Sequence, residues 1–195
     1  MNTQKPNILP AWAEEIVRFS PKDGREERER AMMLDLIAQH GDRILSRESD
    51  FAHMTASSII VSRDRTRTLM AFHRIYNSWA WTGGHADGES DFEAIARREA
   101  QEETGITDLV RLGTGPASIE ILPVWAHVKR GRHVGSHLHL NVSYLFEADE
   151  NLPLRTKQDE NSAVGWIEVD KLNEKVTEPP MIPIYERLLK RANDW

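Results

Sequence analysis

The chain has 195 residues, a length that accommodates one domain of ordinary size with some additional structure. Its 39% hydrophobic and 29% charged residues are typical of a folded globular protein. A net charge of −6 argues against binding to a nucleic-acid duplex, and the absence of cysteine excludes disulfides, thiolate metal sites and thiol catalysis. No signal-peptide pattern or apolar run of membrane-spanning length is present, so we expect a soluble, cytoplasmic protein with no membrane partner.

The first quarter of the chain, residues 10 to 45, is predicted to be helical. Apolar residues recur there at helical spacing, namely Met33, Leu36, Ile37 and Ile44. Gly41 is a natural interruption or cap. We therefore divide the chain into a helical N-terminal extension, 1–50, and a main domain, 51–195. The apolar face of the extension leads us to expect that it mediates homodimerisation or covers one edge of the main domain's cleft.

Two short strands follow the extension. Residues 57–62 and 68–73 are predicted to be strands, separated by a polar turn at 63–65. Gly83 and Gly84 come next, in a stretch that we expect to be a loop.

The central element is a helix over 91–104. Ser90 and Glu93 have the spacing of a capping box at its start. Gly105 is a good terminator, because glycine commonly ends helices in the left-handed conformation.

Strands return in the second half of the chain, over 119–128, 139–147 and 164–169. The glycine-rich, basic stretch 129–136 is expected to form a hairpin loop between the first two. An amphipathic helix closes the chain, with apolar residues at steps of three and four: Met181, Ile184, Tyr185, Leu188, Leu189 and Ala192. This order of elements predicts an α/β (α+β) fold with a mixed sheet covered by helices.

The central helix places carboxylates where apolar residues are expected. Phe92 and Ala96 lie on the same helical face as Glu99 and Glu103, and Glu102 sits beside them. Like charges at this spacing cost about 0.2–0.5 kcal/mol, and the helix C-terminus repels each carboxylate by about 0.3–1 kcal/mol. A hard divalent cation, Mg²⁺ or Mn²⁺, would compensate, because such ions take oxygen ligands.

A plainer interpretation of these glutamates is a solvated helix face, paired with Arg97 and Arg98. The preceding Gly83 and Gly84 favour the metal site. Two glycines let the backbone approach a ligand closely, and a backbone carbonyl can serve as a further oxygen ligand.

The segment from Gly84 to Ile106 resembles the Nudix box, G-x5-E-x7-R-E-U-x-E-E-x-G-U, where U is a bulky apolar residue, as found in MutT-like Nudix hydrolases. The matching positions are Arg98, Glu99, Glu102, Glu103, Gly105 and Ile106. The resemblance implies an α/β/α sandwich in the main domain. It also implies metal ligation by the three glutamates and the Gly84 carbonyl, with Gly83, Arg98 and Gly105 as structural residues.

This sequence departs from the box at two positions. Ser90 replaces its first glutamate, and the first apolar position is only Ala100. In the family that glutamate is mainly a structural partner of the box arginine, so Glu89 or Asp91 is expected to pair with Arg98 instead.

Residues outside the box complete the predicted site. Family members commonly add a carboxylate from a later loop, for which Glu160 is preferred over Asp159; an ordinary acidic turn is the alternative. We therefore expect Glu99, Glu103 and Glu160 to be catalytic. His137 and His139 lie on the polar face of a strand and are expected to contact substrate, unless they are simply hydrogen-bonded beneath a helix.

The function predicted from this resemblance is divalent-metal-dependent hydrolysis of a diphosphate linkage in a nucleoside diphosphate joined to another moiety. Nucleotide sugars, ADP-ribose, dinucleotides and nucleoside triphosphates are all open as substrates. One alternative is a non-catalytic nucleotide sensor, although such domains tend to lose the box carboxylates. Another is an enzyme like isopentenyl-diphosphate isomerase, which relies on an active-site cysteine that this chain lacks.

Overall fold

The computed structural model describes residues 9–74, 77–129, 131–157 and 161–195. The helices found there are α1 (Glu14–Arg18), α2 (Gly24–His40), α3 (Phe92–Thr104), α4 (Leu172–Lys175) and α5 (Ile182–Ala192). The strands are β1 (Ala52–Ser62), β2 (Arg67–His73), β3 (Ser78–Ala80), β4 (Thr82–His85), β5 (Val110–Leu112), β6 (Ser118–Val124), β7 (His127–Lys129), β8 (Arg132–Val134), β9 (His137–Ala148) and β10 (Asn161–Glu168). Within the described ranges, no helix is long and apolar enough to cross a membrane.

An eight-stranded mixed sheet forms the centre of the molecule. Its strand order is β10-β2-β1-β9-β5, with β3 on β2, β4 on β1 and β6 on β9. The central pair, β1 and β9, is parallel over eleven residues, whereas the other pairs are antiparallel. Strands β7 and β8 form a separate hairpin. The mixed sheet confirms the predicted fold class.

Helices cover both faces of this sheet. Successive residues of β1 point to opposite faces and therefore belong to different buried clusters. Ile60 belongs to one buried cluster, together with Ile16 of α1, Met33 of α2 and Ala96 of α3. Ile59 belongs to the other, which α5 supplies with apolar side chains that include Ile184, Leu188 and Leu189. The predicted α/β/α arrangement is therefore confirmed.

The N-terminal extension is part of the helical layer on the α3 side. Asp23 caps α2 by accepting the backbone N–H groups of Arg25 and Glu26, and Gly41 follows its last residue. Met33 and Ile37, whose apolar spacing motivated the homodimer prediction, are buried within the chain. Their apolar spacing is thus explained by packing within the chain and no longer supports a dimer. Homodimerisation and the division at residue 50 stay predictions.

Two expectations about local structure are wrong. Gly83 and Gly84 lie in strand β4, paired with Ser57 and Ala56 of β1, rather than in a loop. The long strand expected over 119–128 is β6 followed by a break and the separate strand β7. Alternation along a single segment could not reveal either, because both depend on pairing with a distant strand.

The start of α3 also differs from the prediction. Asp91 is the cap, and its side chain accepts the backbone N–H of Ala94 at 3.0 Å, a role predicted for Ser90. A carboxylate interacts more favourably than a hydroxyl with the positive end of the helix dipole. Glu93, expected to complete the capping box, instead forms ion pairs with Arg97 and Arg111.

Candidate active site

Glu103 lies at the junction of α3 and the sheet, and its side chain is held by two neutral donors. The residue is 5% exposed. Its carboxylate accepts the backbone N–H of Gly83 at 2.9 Å and the Nδ2–H of Asn161 at 2.6 Å. The helix, strand β4 and strand β10 therefore meet at this carboxylate.

Glu99 lies against the backbone of Gly84, one turn earlier on the same helical face. A Cβ atom at residue 84 would be 2.4 Å from Cδ and 2.5 Å from Oε1 of Glu99. A side chain there would have to displace the carboxylate, so glycine allows carboxylate and backbone to approach this closely. Carboxylate and backbone oxygens are the donor types that Mg²⁺ and Mn²⁺ take, and this cradle fits such an ion.

Glu102 is the exposed member of the three. Its carboxylate pairs with Nζ of Lys157 at 3.1 Å. Lys157 and Asn161 stand on either side of residues 158–160, and both contact box glutamates. The predicted catalytic residue Glu160, like its alternative Asp159, lies outside the described residues.

Arg98, the arginine of the box, has a carboxylate partner even though Ser90 replaces the first box glutamate. Both nitrogen atoms at the end of the Arg98 side chain contact the Glu89 carboxylate, at 2.8 and 3.0 Å. This hydrogen-bonded pairing raises the pKa of Arg98 above its ordinary value. Glu89 therefore takes the place of the missing box glutamate, one residue earlier, while Asp91 caps the helix.

A cavity of about 580 Å³ opens beside Gly83, Gly84 and Glu103. It occupies the end of the sheet face that α5 leaves uncovered. Trp81 forms part of its wall, where its ring packs edge-on against Tyr185 at 5.3 Å. Seven histidines also line it, at positions 53, 73, 85, 127, 133, 137 and 139.

The strand register brings the predicted His137 and His139 to this cavity. His139 of β9 is opposite His53 of β1, and the two ring centroids are 5.0 Å apart. His85 of β4 joins them, with its ring 5.1 Å from that of His53. Sequence reasoning missed His53 and His85, because β1 was expected to begin only at 57 and β4 was taken as loop.

His53 is the most enclosed of these histidines, with 5% of its surface exposed. Its Nδ1 atom faces the carbonyl oxygen of Ser49 at 3.4 Å. Burial lowers the pKa of His53 below its ordinary value, and the hydrogen bond to Ser49 opposes this only in part. Burial thus favours the neutral form of the ring.

Below the histidines, the floor of the cavity is a buried polar network. Asn141 of β9 accepts the hydroxyl groups of Thr55 and Ser57 and donates to Glu120. Glu120 is fully buried and also meets Arg187 of α5 at 3.2 Å. The network fixes side chains on β1, β6 and β9 and so gives the cavity a rigid base.

Comparison with known proteins agrees with this arrangement. A family model described as NUDIX domain matches residues 52–188. No curated protein matches the chain.

Solved structures share the fold. A NUDIX-family hydrolase from Clostridium perfringens has 17% identity and a TM-score of 0.50, covering 71% of this chain and 96% of its own. An Ap4A hydrolase from C. elegans has 15% identity and a TM-score of 0.52, covering 73% and 98%. A dihydroneopterin triphosphate pyrophosphohydrolase from E. coli has 14% identity and a TM-score of 0.56, covering 71% and 95%. At these identities the likeness shows a common fold.

Proposed function

The chain belongs to the Nudix family of hydrolases, and we propose that it cleaves the diphosphate linkage of a nucleoside diphosphate joined to another moiety, with Mg²⁺ or Mn²⁺ as cofactor. The observation that carries this proposal is the placement of Glu99 and Glu103 against the backbone of Gly84 and Gly83, where Glu103 and the two glycines line a cavity. Carboxylates are thus gathered where a substrate's phosphates can reach them.

In this proposal Glu99, Glu102, Glu103 and the Gly84 carbonyl hold the cation. A bound divalent cation supplies charge neutralisation for the diphosphate and lowers the pKa of a coordinated water. Hydrogen bonds from the Gly83 backbone and the Asn161 side chain orient the Glu103 carboxylate for this role. Lys157, at 3.1 Å from Glu102, adds a positive charge next to the phosphate-binding region.

Glu99, Glu103 and Glu160 are the residues that we propose for catalysis. A carboxylate that orients or deprotonates the attacking water has to stand beside the diphosphate. Support for Glu160 comes from its neighbours along the chain, since Lys157 and Asn161 both reach box glutamates.

The cavity is proposed to receive the group attached to the diphosphate. Its volume of about 580 Å³ lies in the usual range for sites that enclose a small molecule. His137 and His139 face this space and are the proposed substrate contacts, with the Trp81 ring in the same wall. Aromatic and imidazole rings suit a planar base, which fits a nucleotide-like substrate.

The test is product release in the presence of Mg²⁺ across ADP-ribose, NADH, dinucleoside polyphosphates and nucleoside triphosphates. We expect turnover of at least one of these compounds, and a loss of at least about a hundredfold in Glu103→Gln, equivalent to about 2.7 kcal/mol of barrier. Glu27→Gln, on the exposed face of α2, is the matched control and should retain full turnover.

The same experiment separates the enzyme from the alternatives. A nucleotide sensor would bind members of the panel without releasing product. Near-normal turnover in Glu103→Gln would reject the metal-site assignment at this residue.

A further inference from the structure

Histidine is concentrated at one place in this molecule. The chain has eight histidines, all within its described parts, and seven of them line the cavity beside β4. The eighth, His40, lies on α2, where its ring packs on Phe51 at 4.4 Å. The proposed hydrolysis uses glutamates, and only two of these histidines, His137 and His139, are proposed to contact its substrate.

Three of these side chains converge. His53, His137 and His139 each offer a ring nitrogen, and these nitrogens all lie within 4.8 Å of one another. Their positions follow from the parallel pairing of β1 and β9, which sets His53 opposite His139, with His137 two residues away on the same face. Because two paired central strands carry all three, the backbone holds the rings side by side.

Backbone carbonyls fix which nitrogen carries the proton. Nδ1 of His137 faces the carbonyl oxygen of Gly135 at 2.9 Å, and Nδ1 of His53 faces that of Ser49 at 3.4 Å. A carbonyl oxygen only accepts hydrogen bonds, so Nδ1 is the donor, and in the neutral ring Nε2 keeps its lone pair. Nε2 of His53 is buried and has no hydrogen-bond partner among the described residues.

We propose that His53, His137 and His139 bind a transition-metal ion, with Zn²⁺ as the ion that best fits this donor set. Metal-binding histidines characteristically donate their second ring N–H to a carbonyl or carboxylate, as His53 and His137 do here. In a tetrahedral zinc site the nitrogens stand about 2.0–2.1 Å from the ion and so about 3.4 Å from one another. Three histidines leave one coordination position for water or a ligand atom from the cavity.

An anion fits these histidines less well. A phosphate oxygen needs hydrogen-bond donors, whereas in the neutral rings that donate through Nδ1 the Nε2 atoms of His53 and His137 are acceptors. Mg²⁺ fits poorly too, because it prefers oxygen ligands to imidazole. The zinc site is therefore chemically distinct from the carboxylates of α3 and does not depend on the proposed hydrolase function.

The test is a calorimetric titration of untagged, chelator-treated protein with Zn²⁺ in excess Mg²⁺, which occupies the carboxylate site. We expect one Zn²⁺ per chain. The variants His53→Gln and His137→Gln should each lower the affinity more than about tenfold. His137 is only half-buried, so its variant remains informative if substitution of the buried His53 impairs folding. His40→Gln is the matched control and should bind as the wild type does.

Glu103→Gln distinguishes this proposal from the hydrolase assignment. Zinc binding that persists in Glu103→Gln while turnover collapses supports two independent sites. Absence of stoichiometric zinc binding by the wild type, or equal affinity in the His137→Gln and His40→Gln variants, would overturn the zinc site and leave the hydrolase assignment untouched.

Discussion

Two sets of buried glutamates lie on this sheet, and their partners differ. Glu26 of α2 is fully buried, and its two carboxylate oxygens each meet a terminal nitrogen of Arg191 at 2.7 Å. Arg187 approaches the same carboxylate at 3.2 Å and also reaches Glu120. Glu103 is nearly as buried, but its carboxylate accepts hydrogen bonds from a backbone amide and an asparagine.

This difference distinguishes a carboxylate held by arginines from one that contacts a backbone amide and an asparagine. Burial by itself would raise the pKa of Glu26, yet hydrogen bonds from Arg191, the Lys22 backbone and Ser118 lower it overall. Its negative charge is therefore neutralised within the protein. The backbone N–H of Gly83 and the side chain of Asn161 orient Glu103, which we propose as a ligand of a divalent cation.

The largest effect is expected for Arg191→Met, which tests the pairing of the buried Glu26 with arginine. The substitution keeps an apolar stem and removes the guanidinium from a fully buried glutamate. We expect the free energy of unfolding to fall by about 3 kcal/mol, measured by denaturant titration. Arg18→Met removes the exposed partner of Glu14 and should change stability by less than about 0.5 kcal/mol. Equal effects of the two variants would mean that the buried network is no more stabilising than a surface pair.

Substitution of two neighbouring glycines, Gly83 and Gly84, tests the contacts of Glu99 and Glu103. A Cβ at Gly84 would meet the flexible end of Glu99, whereas at Gly83 it would meet the backbone oxygen of Ala56 at 2.6 Å. Gly84→Ala should therefore lower turnover about tenfold or more with little change in melting temperature, since each 1.36 kcal/mol of barrier is tenfold. Gly83→Ala should mainly lower the melting temperature. A Gly84→Ala protein with full turnover would show that the contact with Glu99 is not needed for catalysis.

The smallest expected effect is stabilisation by metal. At a Mg²⁺ concentration three times the dissociation constant, binding to the folded state adds about 0.8 kcal/mol. Thermal unfolding should show this shift in the wild type and in Arg18→Met. In Glu102→Gln the shift should shrink at the same Mg²⁺ concentration, and an unchanged shift would remove Glu102 from the ligand set.

The sequence predicts the site best where its chemistry is local. Glu99 and Glu103 share a face of α3 because of helical periodicity, and the end of α3 before Gly105 is confirmed. His53 was missed because its neighbour in the cavity, His139, is 86 positions away and meets it only through sheet pairing. Nothing in the local spacing indicates such a contact.

The stability of the Glu103→Gln variant also depends on contacts that the sequence does not reveal. Crowding of like charges at a helix end predicts that Glu103→Gln holds or increases the stability of the metal-free protein. The bonds from Gly83 and Asn161 change this expectation, because a glutamine presents one acceptor oxygen where the carboxylate presents two. We therefore expect Glu103→Gln to lower the free energy of unfolding of the metal-free protein modestly. The sequence of α3 alone does not predict this, because both hydrogen-bond donors lie outside the helix.

The parallel pairing of β1 with β9 also has a consequence for how the chain reaches its fold. Thr55 and Asn141, one pair in this register, are 86 residues apart, so β1 lacks its central neighbour until most of the chain has been synthesised. All eleven residues of β1 are buried in the finished sheet. Contacts of such long range slow folding, and a strand edge that is still unpaired is prone to associate with other chains. Refolding from denaturant should therefore be slow, with a yield that falls as protein concentration rises.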